Sequence, residues 1–394
     1  MILTADRVIF GDSKKPPRNV AVYIVENEIA GVGPLEELKS RFPAETVKSY
    51  PGATIMPGMI DLHIHLGTDR SPDYHVFSDY MWAFSAVFTM GEALKRGVTT
   101  VRDVGSHTNL AIDLRKASRR GYVTVPRIFT CDTGLIMTGG HGTIFTDMEC
   151  DGEWEIRKAI RDHFKRGADW IKILTSEAYR GQEYTQQELD AAVDECHRMG
   201  RPVAVHAGYQ PSVKMAIKAG FDTIEHGTCM DLDDANEMIK KGITWVPTMT
   251  AFFYMAECRR AGEDPSRGNH YRGKKEDYFY FTEKVYNANF KKLYDTGVKV
   301  ACGTDMYITG MPACPVPYEM NLMVKLGLTP LQAIETATKN NGEALRMDLK
   351  IGQIEEGYLA DIIVVEGNPA EDVGALENIR EVYLDGKCVK KEGF

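Results

Sequence analysis

The sequence predicts an α/β fold, a TIM-like (β/α)8 barrel with a small β-sandwich domain formed from both chain ends. Three observations support this prediction. Eight apolar runs of strand length lie between residues 57 and 349, helical patterns separate most of them, and short β-rich segments flank this stretch on both sides. A (β/α)8 barrel typically takes about 250 residues, and more with insertions, so the central stretch is long enough to form one.

Both chain ends carry the sequence pattern of β structure. The stretches LTADRVIF, NVAVYIVENEIAGVG and TIMPG at the front, and QIEEGYLADIIVVEGN and IREVYLDGKCVKK at the back, combine strand-forming residues with turn residues. The last stretch predicts a hairpin about Asp385 and Gly386. Because each end is too short for its own core, we expect residues 1–56 and 350–394 to form one small domain and residues 57–349 to form the barrel.

The eight predicted strands of the barrel are, in order, MIDLHIH, VTTVRDVG, RIFTCD, DWIKIL, PVAVH, DTIEH, TWVPT and KVACGTD. The clearest helix between them is TQQELDAAVDECHRMG, in which Thr185 and Glu188 form a capping box and Gly200 ends the helix. Another helix is predicted to begin with Thr329 as its N-cap and Pro330 in its first turn. The aromatic-rich stretch before the eighth strand predicts either a cover over a site or a packed surface helix.

Composition and charge favour small-molecule chemistry. The 394 residues are 43% hydrophobic and 26% charged, and the net charge of −9 argues against a general nucleic-acid binder, which needs clustered Lys and Arg. No run of about 18 apolar residues indicates a membrane span, and the first residues lack the pattern of a signal peptide. The eight scattered cysteines are typical of reduced structural thiols. We therefore expect a cytoplasmic protein.

A lysine interrupts the fourth predicted strand, in the stretch GADWIKI. Lys172 is flanked by Trp170, Ile171, Ile173 and Leu174, an apolar run typical of a strand that is buried on both faces. Burial without a partner depresses the pKa of a lysine by up to about 3 to 5 units. The residues alone leave three interpretations open: an ion pair, a side chain that reaches water at the strand end, or a functional lysine.

Residues of the metal-binding types end several predicted strands. His63 and His65 end the first strand two positions apart, so both rings project from one side, although such a pair is equally compatible with structural histidines. The fifth, sixth and eighth strands end at His206, His226 and Asp305. The active site of a (β/α)8 barrel lies at these strand ends. Four histidines and a carboxylate there predict a site for Zn²⁺ or a related divalent ion.

The order of these motifs resembles the metal-dependent amidohydrolase superfamily. PGMIDLHIH, ADWIKI, VAVHAG, IEHGT and GTD occur in this order, followed by IGQIEEGYLADIIVVEGNP, so the resemblance covers nearly the whole chain. GLIMTGGHG, the lysine of IKI and EYTQQELDAAVDECHRMGRPVAVHA are most similar to the prolidase-like and carboxypeptidase-like members, which are related to imidazolonepropionases. In those binuclear members the lysine of the fourth strand is carboxylated.

The resemblance implies two divalent metal ions, Zn²⁺, and a carbamate formed on Lys172 from CO₂. It assigns His63, His65, Lys172 and Asp305 to one metal, and Lys172, His206 and His226 to the other. A hydroxide that bridges the two metals would be the nucleophile. Asp305 would be the catalytic base that takes the proton of the nucleophile and delivers it to the leaving nitrogen.

Other residues near the expected site have weaker patterns. His141 in TGGHG matches a histidine that faces substrate in the resembling peptidases, or it caps a loop. Asp103, at the end of the second strand, either orients a histidine ligand or caps a turn. Arg180 and Tyr209 are candidates for contact with a substrate carboxylate, but a solvated arginine and a packed tyrosine fit equally well. We expect the remaining histidines to lie on helix surfaces or in loops: His75, His107, His163, His197 and His270.

The sequence therefore predicts a zinc-dependent hydrolase of amide or peptide bonds, an Xaa-Pro-type dipeptidase or a carboxypeptidase. Its partners would be a small-molecule or dipeptide substrate and, in a homo-oligomer, further copies of the chain, with no nucleic acid and no membrane. The alternative enzyme hydrolyses a cyclic amide, a carbamate, an aryl amide or a lactone. A non-catalytic scaffold is the remaining class, and it is disfavoured because such relatives usually lose metal ligands.

Overall fold

The computed structural model describes residues 1–67, 77–142, 148–177, 181–262, 278–306 and 311–390. Within these ranges the strands are β1 (Ile2–Val8), β2 (Val20–Val25), β3 (Glu28–Pro34), β4 (Val47–Pro57), β5 (Met59–Ile64), β6 (Val98–Asp103), β7 (Arg127–Thr130), β8 (Ile171–Leu174), β9 (Ser176–Glu177), β10 (Gly181–Gln182), β11 (Val203–Ala207), β12 (Thr223–His226), β13 (Thr244–Val246), β14 (Ile362–Glu366), β15 (Ile379–Leu384) and β16 (Lys387–Lys390).

The helices within the same ranges alternate with the central strands. They are α1 (Leu35–Arg41), α2 (Asp79–Lys95), α3 (Leu110–Arg119), α4 (Gly152–Arg166), α5 (Gln186–Arg198), α6 (Ser212–Ala219), α7 (Leu232–Lys241), α8 (Met249–Arg260), α9 (Tyr278–Tyr294), α10 (Val316–Lys325), α11 (Pro330–Thr336) and α12 (Lys339–Ala344), with a 3-10 helix at Val373–Glu377. None of the helices in the described part of the chain combines the length and the apolarity that crossing a membrane requires.

Strands from both chain ends share one seven-stranded sheet, in the order β16-β15-β14-β4-β1-β2-β3. β4 joins the two ends, because it pairs parallel with β1 and antiparallel with β14. The predicted hairpin between β15 and β16 is present, and Asp385 and Gly386 both have the positive φ that such a tight turn requires. The ends thus form one mixed sheet, and its arrangement as a β-sandwich stays a prediction.

The central stretch contains seven parallel strands in two sheets. β5, β6 and β7 form one, and β8, β11, β12 and β13 form the other, so each corresponds to one of the first seven predicted strands. A bridge between Leu135 and Ile173 connects the loop after β7 to β8. The strands are buried almost throughout, which explains their continuous apolar runs. An α/β fold built on parallel strands is therefore shown.

The eighth predicted strand is not a regular strand. Val300 bridges Trp245 in β13 and Met306 bridges Ile64 in β5, while the residues between them lack a continuous ladder. Gly303 explains the close approach to β5, because a Cβ built on it would lie 2.7 Å from the Cβ of His63. Closure of the two sheets into one eight-stranded barrel stays a prediction.

Local helix signals were predicted correctly. Thr185 caps α5 in a capping box with Glu188, and Thr329 caps α11 with Pro330 in its first turn. The aromatic stretch before residue 299 forms α9 from Tyr278 onward, and it is a packed helix: Tyr278 and Phe279 are buried. The fold therefore sets the ends of β5, β11 and β12 and the segment at residues 300–306 side by side.

Candidate metal centre

Three predicted metal ligands meet in one buried cluster. The Nε2 atoms of His63 and His65 lie 3.4 and 3.3 Å from the same carboxylate oxygen, Oδ1 of Asp305. One potential ligand atom from each residue lies within 4.8 Å of the others, and all three residues are buried. The group joins the end of β5 to the segment at residues 300–306, because the backbone N–H of Asp305 donates to the His63 carbonyl at 2.7 Å.

Two further histidines extend this cluster. The rings of His206 and His226 have centroids 4.4 Å apart, and the ring of His226 lies 5.2 Å from that of His63. Lys172 in β8 is the register partner of Ala204 in β11, so it projects from the same sheet face as His206, two positions further on. The predicted ligands of both metals thus lie in one contiguous region.

The hydrogen bonds of three histidines fix which ring nitrogen carries the proton. His63 Nδ1 lies 2.6 Å from a Glu225 oxygen, and His65 Nδ1 lies 2.5 Å from the Gly105 carbonyl. A carboxylate and a carbonyl can only accept hydrogen bonds. His226 Nδ1 lies 2.6 Å from the Thr248 hydroxyl, which already donates to a carbonyl. Each Nδ1 therefore donates, and the Nε2 atoms of His63 and His226 keep the lone pair that a metal ion would bind.

These lone pairs make the cluster suitable for a cation. Burial lowers the pKa of His63 and His206 well below the usual value and lowers the pKa of His226 to about 4, so the rings are neutral near pH 7. Burial would raise the pKa of Asp305, but the attraction of nearby groups, His63 first, outweighs it and lowers that pKa. Neutral imidazole nitrogens beside a carboxylate are a donor set that fits a divalent metal.

Backbone conformation at two ligands departs from that of a regular strand. His226 and Asp305 have φ values of 69° and 51°, in the left-handed region that costs a non-glycine residue about 1–3 kcal/mol. Tyr286 and Trp245 donate to the His226 carbonyl at 2.8 and 2.7 Å, which holds this turn in place. Such local strain at ligand positions is typical of functional sites.

Lys172 is buried without an ion pair to the described residues. Only 1% of its surface is exposed, so its side chain does not reach water at the strand end. Burial lowers its pKa, although Glu225 and Asp305 act in the opposite direction. Two of the three interpretations left open by the sequence, the ion pair and the solvated side chain, therefore disagree with the surroundings of Lys172.

A buried ion pair behind the cluster escaped the sequence reasoning. Arg102 donates to Glu225 at 2.7 Å and to the Leu62 carbonyl at 2.7 Å, and its guanidinium lies 4.5 Å from the centroid of the Trp170 ring. The other Glu225 oxygen binds His63, so this pair orients a predicted ligand. The sequence signal for this ion pair was the position of its members at strand ends: Glu225 directly precedes His226 in IEH, and Arg102 directly precedes Asp103 in VRD.

Asp103 holds the loops beside His65 and has no hydrogen bond to the ring. It accepts hydrogen bonds from the backbone N–H of Leu66 at 3.1 Å and from the hydroxyls of Ser106 and Thr130. Burial raises its pKa to about 6. Of the two sequence interpretations, the structure supports the turn-stabilising one.

His141 lies beside the cluster, with its ring centroid 4.3 Å from that of His206. One Glu183 oxygen binds the backbone N–H of His141 and the other binds Nδ1, both at 2.9 Å. The remaining ring nitrogen, Nε2, is buried and has no hydrogen-bond partner among the described residues. Glu183, which the sequence reasoning did not single out, therefore fixes the orientation of His141.

The remaining predicted residues have mixed outcomes. Tyr209 packs against α9, with its ring 6.1 Å from that of Phe281. Arg180, His75 and His270 lie outside the described residues. His107 lies in a loop and stacks on Trp82, and His197 is a half-exposed helix residue, both as predicted.

The prediction for His163 was wrong. It lies on α4 but is completely buried, with Nδ1 3.2 Å from the Cys131 carbonyl. Ile156 and Ile160 are buried on the same helix, and the spacing of four and three residues places His163 on their face. The helical period carried the signal for its burial.

The comparisons with known proteins agree with this geometry. The sequence model of the amidohydrolase family matches residues 54–389. The chain belongs to the amidohydrolase family. This confirms the resemblance that the motifs indicated, and it makes hydrolysis of a C–N bond the activity class of the site.

Several relatives match almost the whole chain. Ochratoxinase of Aspergillus niger is 28% identical over 438 aligned residues, covering 100% of this chain and 87% of the relative. The crystal structure of an Xaa-Pro dipeptidase with methionine in its active site has a TM-score of 0.85, with 31% identity and 99% coverage of both chains. An imidazolonepropionase of Cutibacterium acnes is 22% identical, covering 92% of this chain and 88% of that protein.

Proposed function

We propose that this amidohydrolase is an Xaa-Pro-type dipeptidase or a carboxypeptidase that uses two zinc ions. The observation that carries the proposal is the convergence of the buried Nε2 atoms of His63 and His65 on one oxygen of Asp305, which places potential ligand atoms of the three residues within 4.8 Å of one another. The similarity to the Xaa-Pro dipeptidase structure supports this substrate class.

The proposed ligand sets are those that the resemblance to the binuclear members implies. His63, His65 and Asp305 would hold one metal, His206 and His226 the other, and Lys172 both. The bound metals would supply Lewis acidity toward a carbonyl oxygen and lower the pKa of water. The hydrogen bonds of Glu225, Gly105 and Thr248 keep the ligand nitrogens unprotonated and correctly oriented.

The shared role of Lys172 requires its carboxylation. A lysine with a lowered pKa is partly neutral, and a neutral amine adds CO₂, loses a proton and becomes a carbamate. The product is an anion with two oxygens in place of a cation. It would offset part of the charge of the metals, and no carboxylate within ion-pairing distance of Lys172 competes for the amine among the described residues.

Asp305 and His141 have the proposed catalytic and substrate-binding roles. Asp305 takes a proton from the attacking water and delivers it to the leaving nitrogen. His141 turns its free Nε2 toward the substrate, with Glu183 holding the ring. Tyr209 and Arg180 are proposed to contact the substrate carboxylate.

The setting of this site is part of the proposal. Residues 57–349 would close into an eight-stranded barrel, and residues 1–56 and 350–394 would form the small domain. A cytoplasmic location is supported by the eight scattered cysteines, which form no disulfide with one another in the described part of the chain. The working unit would be a homo-oligomer.

A second candidate function rests on the similarity to ochratoxinase along the whole chain. In that case the substrate would be an aryl amide, with cyclic amides, carbamates and lactones as further members of the alternative. The two candidates share the metal centre and differ in the group on the acyl side of the cleaved bond.

One experiment separates these functions. Protein loaded with zinc in the presence of bicarbonate is incubated with Xaa-Pro dipeptides, other dipeptides, N-aroyl amino acids, carbamates and lactones, and products are quantified by mass spectrometry. The proposal expects release of proline or another C-terminal amino acid, at a rate at least about 1000-fold higher than in Asp305→Asn. Cleavage of N-aroyl compounds alone would favour the second candidate, and no cleavage of any amide would contradict both.

A further inference from the structure

Helix α2 carries a stripe of large apolar side chains on the protein surface. Tyr80, Phe84 and Phe88 are 78%, 68% and 65% exposed, and Met81 is 45% exposed. The spacing of four residues aligns the three aromatic rings along one face of the helix. Tyr122, just after α3, and Trp154, on α4, are also exposed aromatics, but among the described positions neither helix adds another large apolar residue that is comparably exposed.

The composition of α2 is that of an interface core. From Tyr80 to Gly91 the helix contains no charged residue, whereas Asp79 precedes this stretch and Lys95 ends the helix. Enrichment in aromatic residues and methionine with depletion of charge distinguishes the centre of an interface from ordinary surface. A helix that lies on an anionic membrane instead presents Lys and Arg beside its apolar face, which α2 does not do over this length.

A cleft lies next to the stripe. It has a volume of about 440 Å³ and lies between α2 and α3, where Trp82, Val87, Leu110 and Leu114 provide apolar lining. Gly91 follows Phe84 and Phe88 on the same face, and a Cβ built on it would meet no other atom within 4 Å. Within three helical turns, the surface therefore has protruding aromatic rings, an apolar cleft and a glycine, which has no side chain.

We propose that α2 is the centre of a two-fold interface, with α2 of a second copy of this chain packed antiparallel against it. A two-fold axis places the same patch on both partners, so protrusions and recess on one surface can fit each other. Phe84 and Phe88 of each copy would pack beside the axis and enter the apolar cleft of the partner.

Charge at the helix ends supports a second copy over an unrelated partner. The midpoint between Phe84 and Phe88 is residue 86, and Asp79 and Lys95 lie seven and nine residues away from it on opposite sides. Antiparallel pairing about this midpoint brings Asp79 of one copy within roughly 3 Å, along the axis, of the level of Lys95 in the other. The side chains of Asp79 and Lys95 are 87% and 62% exposed.

The area of the stripe agrees with a stable dimer. Aromatic side chains bury about 150–250 Å² each, so three that are mostly exposed contribute roughly 300–500 Å² per copy. A standard interface buries about 800 Å² per partner. The stripe and the adjoining cleft therefore account for the apolar centre of such an interface, with the charged helix ends at its rim.

Analytical ultracentrifugation of the full chain at 1–50 μM tests this proposal. Wild type should sediment as a dimer or a multiple of it, and Phe84→Glu/Phe88→Glu should weaken self-association by at least about 100-fold. Tyr122→Glu/Trp154→Glu, which removes two equally exposed aromatics elsewhere, should leave it unchanged. Circular dichroism and thermal unfolding of each variant establish that the fold is intact.

A charge exchange adds a test that does not depend on removing apolar surface. Asp79→Lys should weaken association, and adding Lys95→Asp should restore at least part of it, because the exchanged charges again face each other across the axis. A monomeric wild type at 50 μM would overturn the proposal, as would unchanged association in Phe84→Glu/Phe88→Glu. A monomer that binds phosphatidylcholine vesicles through the stripe would overturn it in favour of a membrane surface.

Discussion

Two carboxylate–histidine pairs lie at opposite ends of one short strand, β12, and they differ in their surroundings. Glu225, near the end of the strand, lies 2.6 Å from His63, and both side chains are buried. Asp222, just before the strand, lies 2.9 Å from Nε2 of His197, whose side chain is 44% exposed. Residue types and contact distances are similar in the two pairs.

The two pairs differ in the partners of their remaining polar atoms. Asp222 also accepts from the Val203 N–H at 2.7 Å and from Arg346, so protein groups complete the pair. In the other pair the second nitrogen of His63 faces Asp305, a group that has no proton to offer. A carboxylate–histidine contact thus indicates a metal ligand when the free nitrogen meets electron-rich groups, and a structural tie when it does not.

The largest expected difference is in kcat/KM, between a variant that lacks a histidine of the cluster and a variant that lacks the histidine paired with Asp222. His65→Ala deletes a ligand and should lower kcat/KM for amide hydrolysis by at least about 1000-fold. His197→Ala removes a tie far from the cluster and should change kcat/KM less than about threefold. Steady-state kinetics on both variants checks this. Comparable losses of activity in the two would show that the regions do not differ as described.

Neutralising each carboxylate in turn should separate an effect on metal affinity from an effect on stability. Glu225→Gln leaves one acceptor oxygen for the two donors His63 and Arg102, and it should weaken metal binding by about 10–100-fold, measured by competition with a chelator. Asp222→Asn should leave metal affinity unchanged and lower the thermal midpoint, because Arg346 then has no charged partner. Equal metal affinity in Glu225→Gln and wild type would contradict the orienting role.

The stability of the fold should also depend on pH, through Glu195 on α5. Hydrogen bonds from Arg161, together with Arg157 and Arg198, lower the pKa of Glu195 on α5 to about 2. A folded-state pKa below the unfolded value of about 4.3 adds stability above pH 4.3 that is lost as the pH falls toward 2. The difference in free energy of unfolding between wild type and Glu195→Gln, from urea titrations, should therefore be largest near pH 7 and shrink below about pH 4.3. A difference that stayed constant from pH 3 to 7 would be inconsistent with this pKa.

The smallest effect is expected at a helix cap. Thr185→Ala removes the side-chain acceptor of the α5 capping box and should cost about 0.5–2 kcal/mol in the free energy of unfolding. Its kcat/KM should match wild type, because the cap belongs to the structural part of the molecule. Urea unfolding and kinetics at one temperature give both quantities, and a loss of activity at full stability would link this cap to the site.

The strand-end positions of the candidate ligands could be predicted because they depend on the period of two within a strand and on the common edge of parallel strands. The same holds for the capping box at Thr185, which is local in sequence. The Glu225 contacts could not be predicted in this way, since Glu225 is separated in sequence from His63 by 162 positions and from Arg102 by 123 positions. Pairing at such distances is set by the three-dimensional packing of strands.

Two further differences have local physical reasons. The apolar run at residues 299–305 predicted a strand, but the structure has only isolated bridges at Val300 and Met306, and Asp305 has a φ of 51°, which a regular strand does not adopt. His163 was predicted as a helix-surface or loop residue because the sequence shows no convergent partner for it, yet its helical position on the face of Ile156 and Ile160 buries it.

Metal content tests the central claim most directly. Wild type, Lys172→Ala and the surface control Lys299→Ala are loaded with zinc in the presence of bicarbonate, desalted and measured by elemental analysis. The account predicts close to two zinc ions per chain in wild type and in Lys299→Ala, and a clear loss in Lys172→Ala. One zinc ion per chain in all three proteins would contradict a second metal held through a carboxylated Lys172.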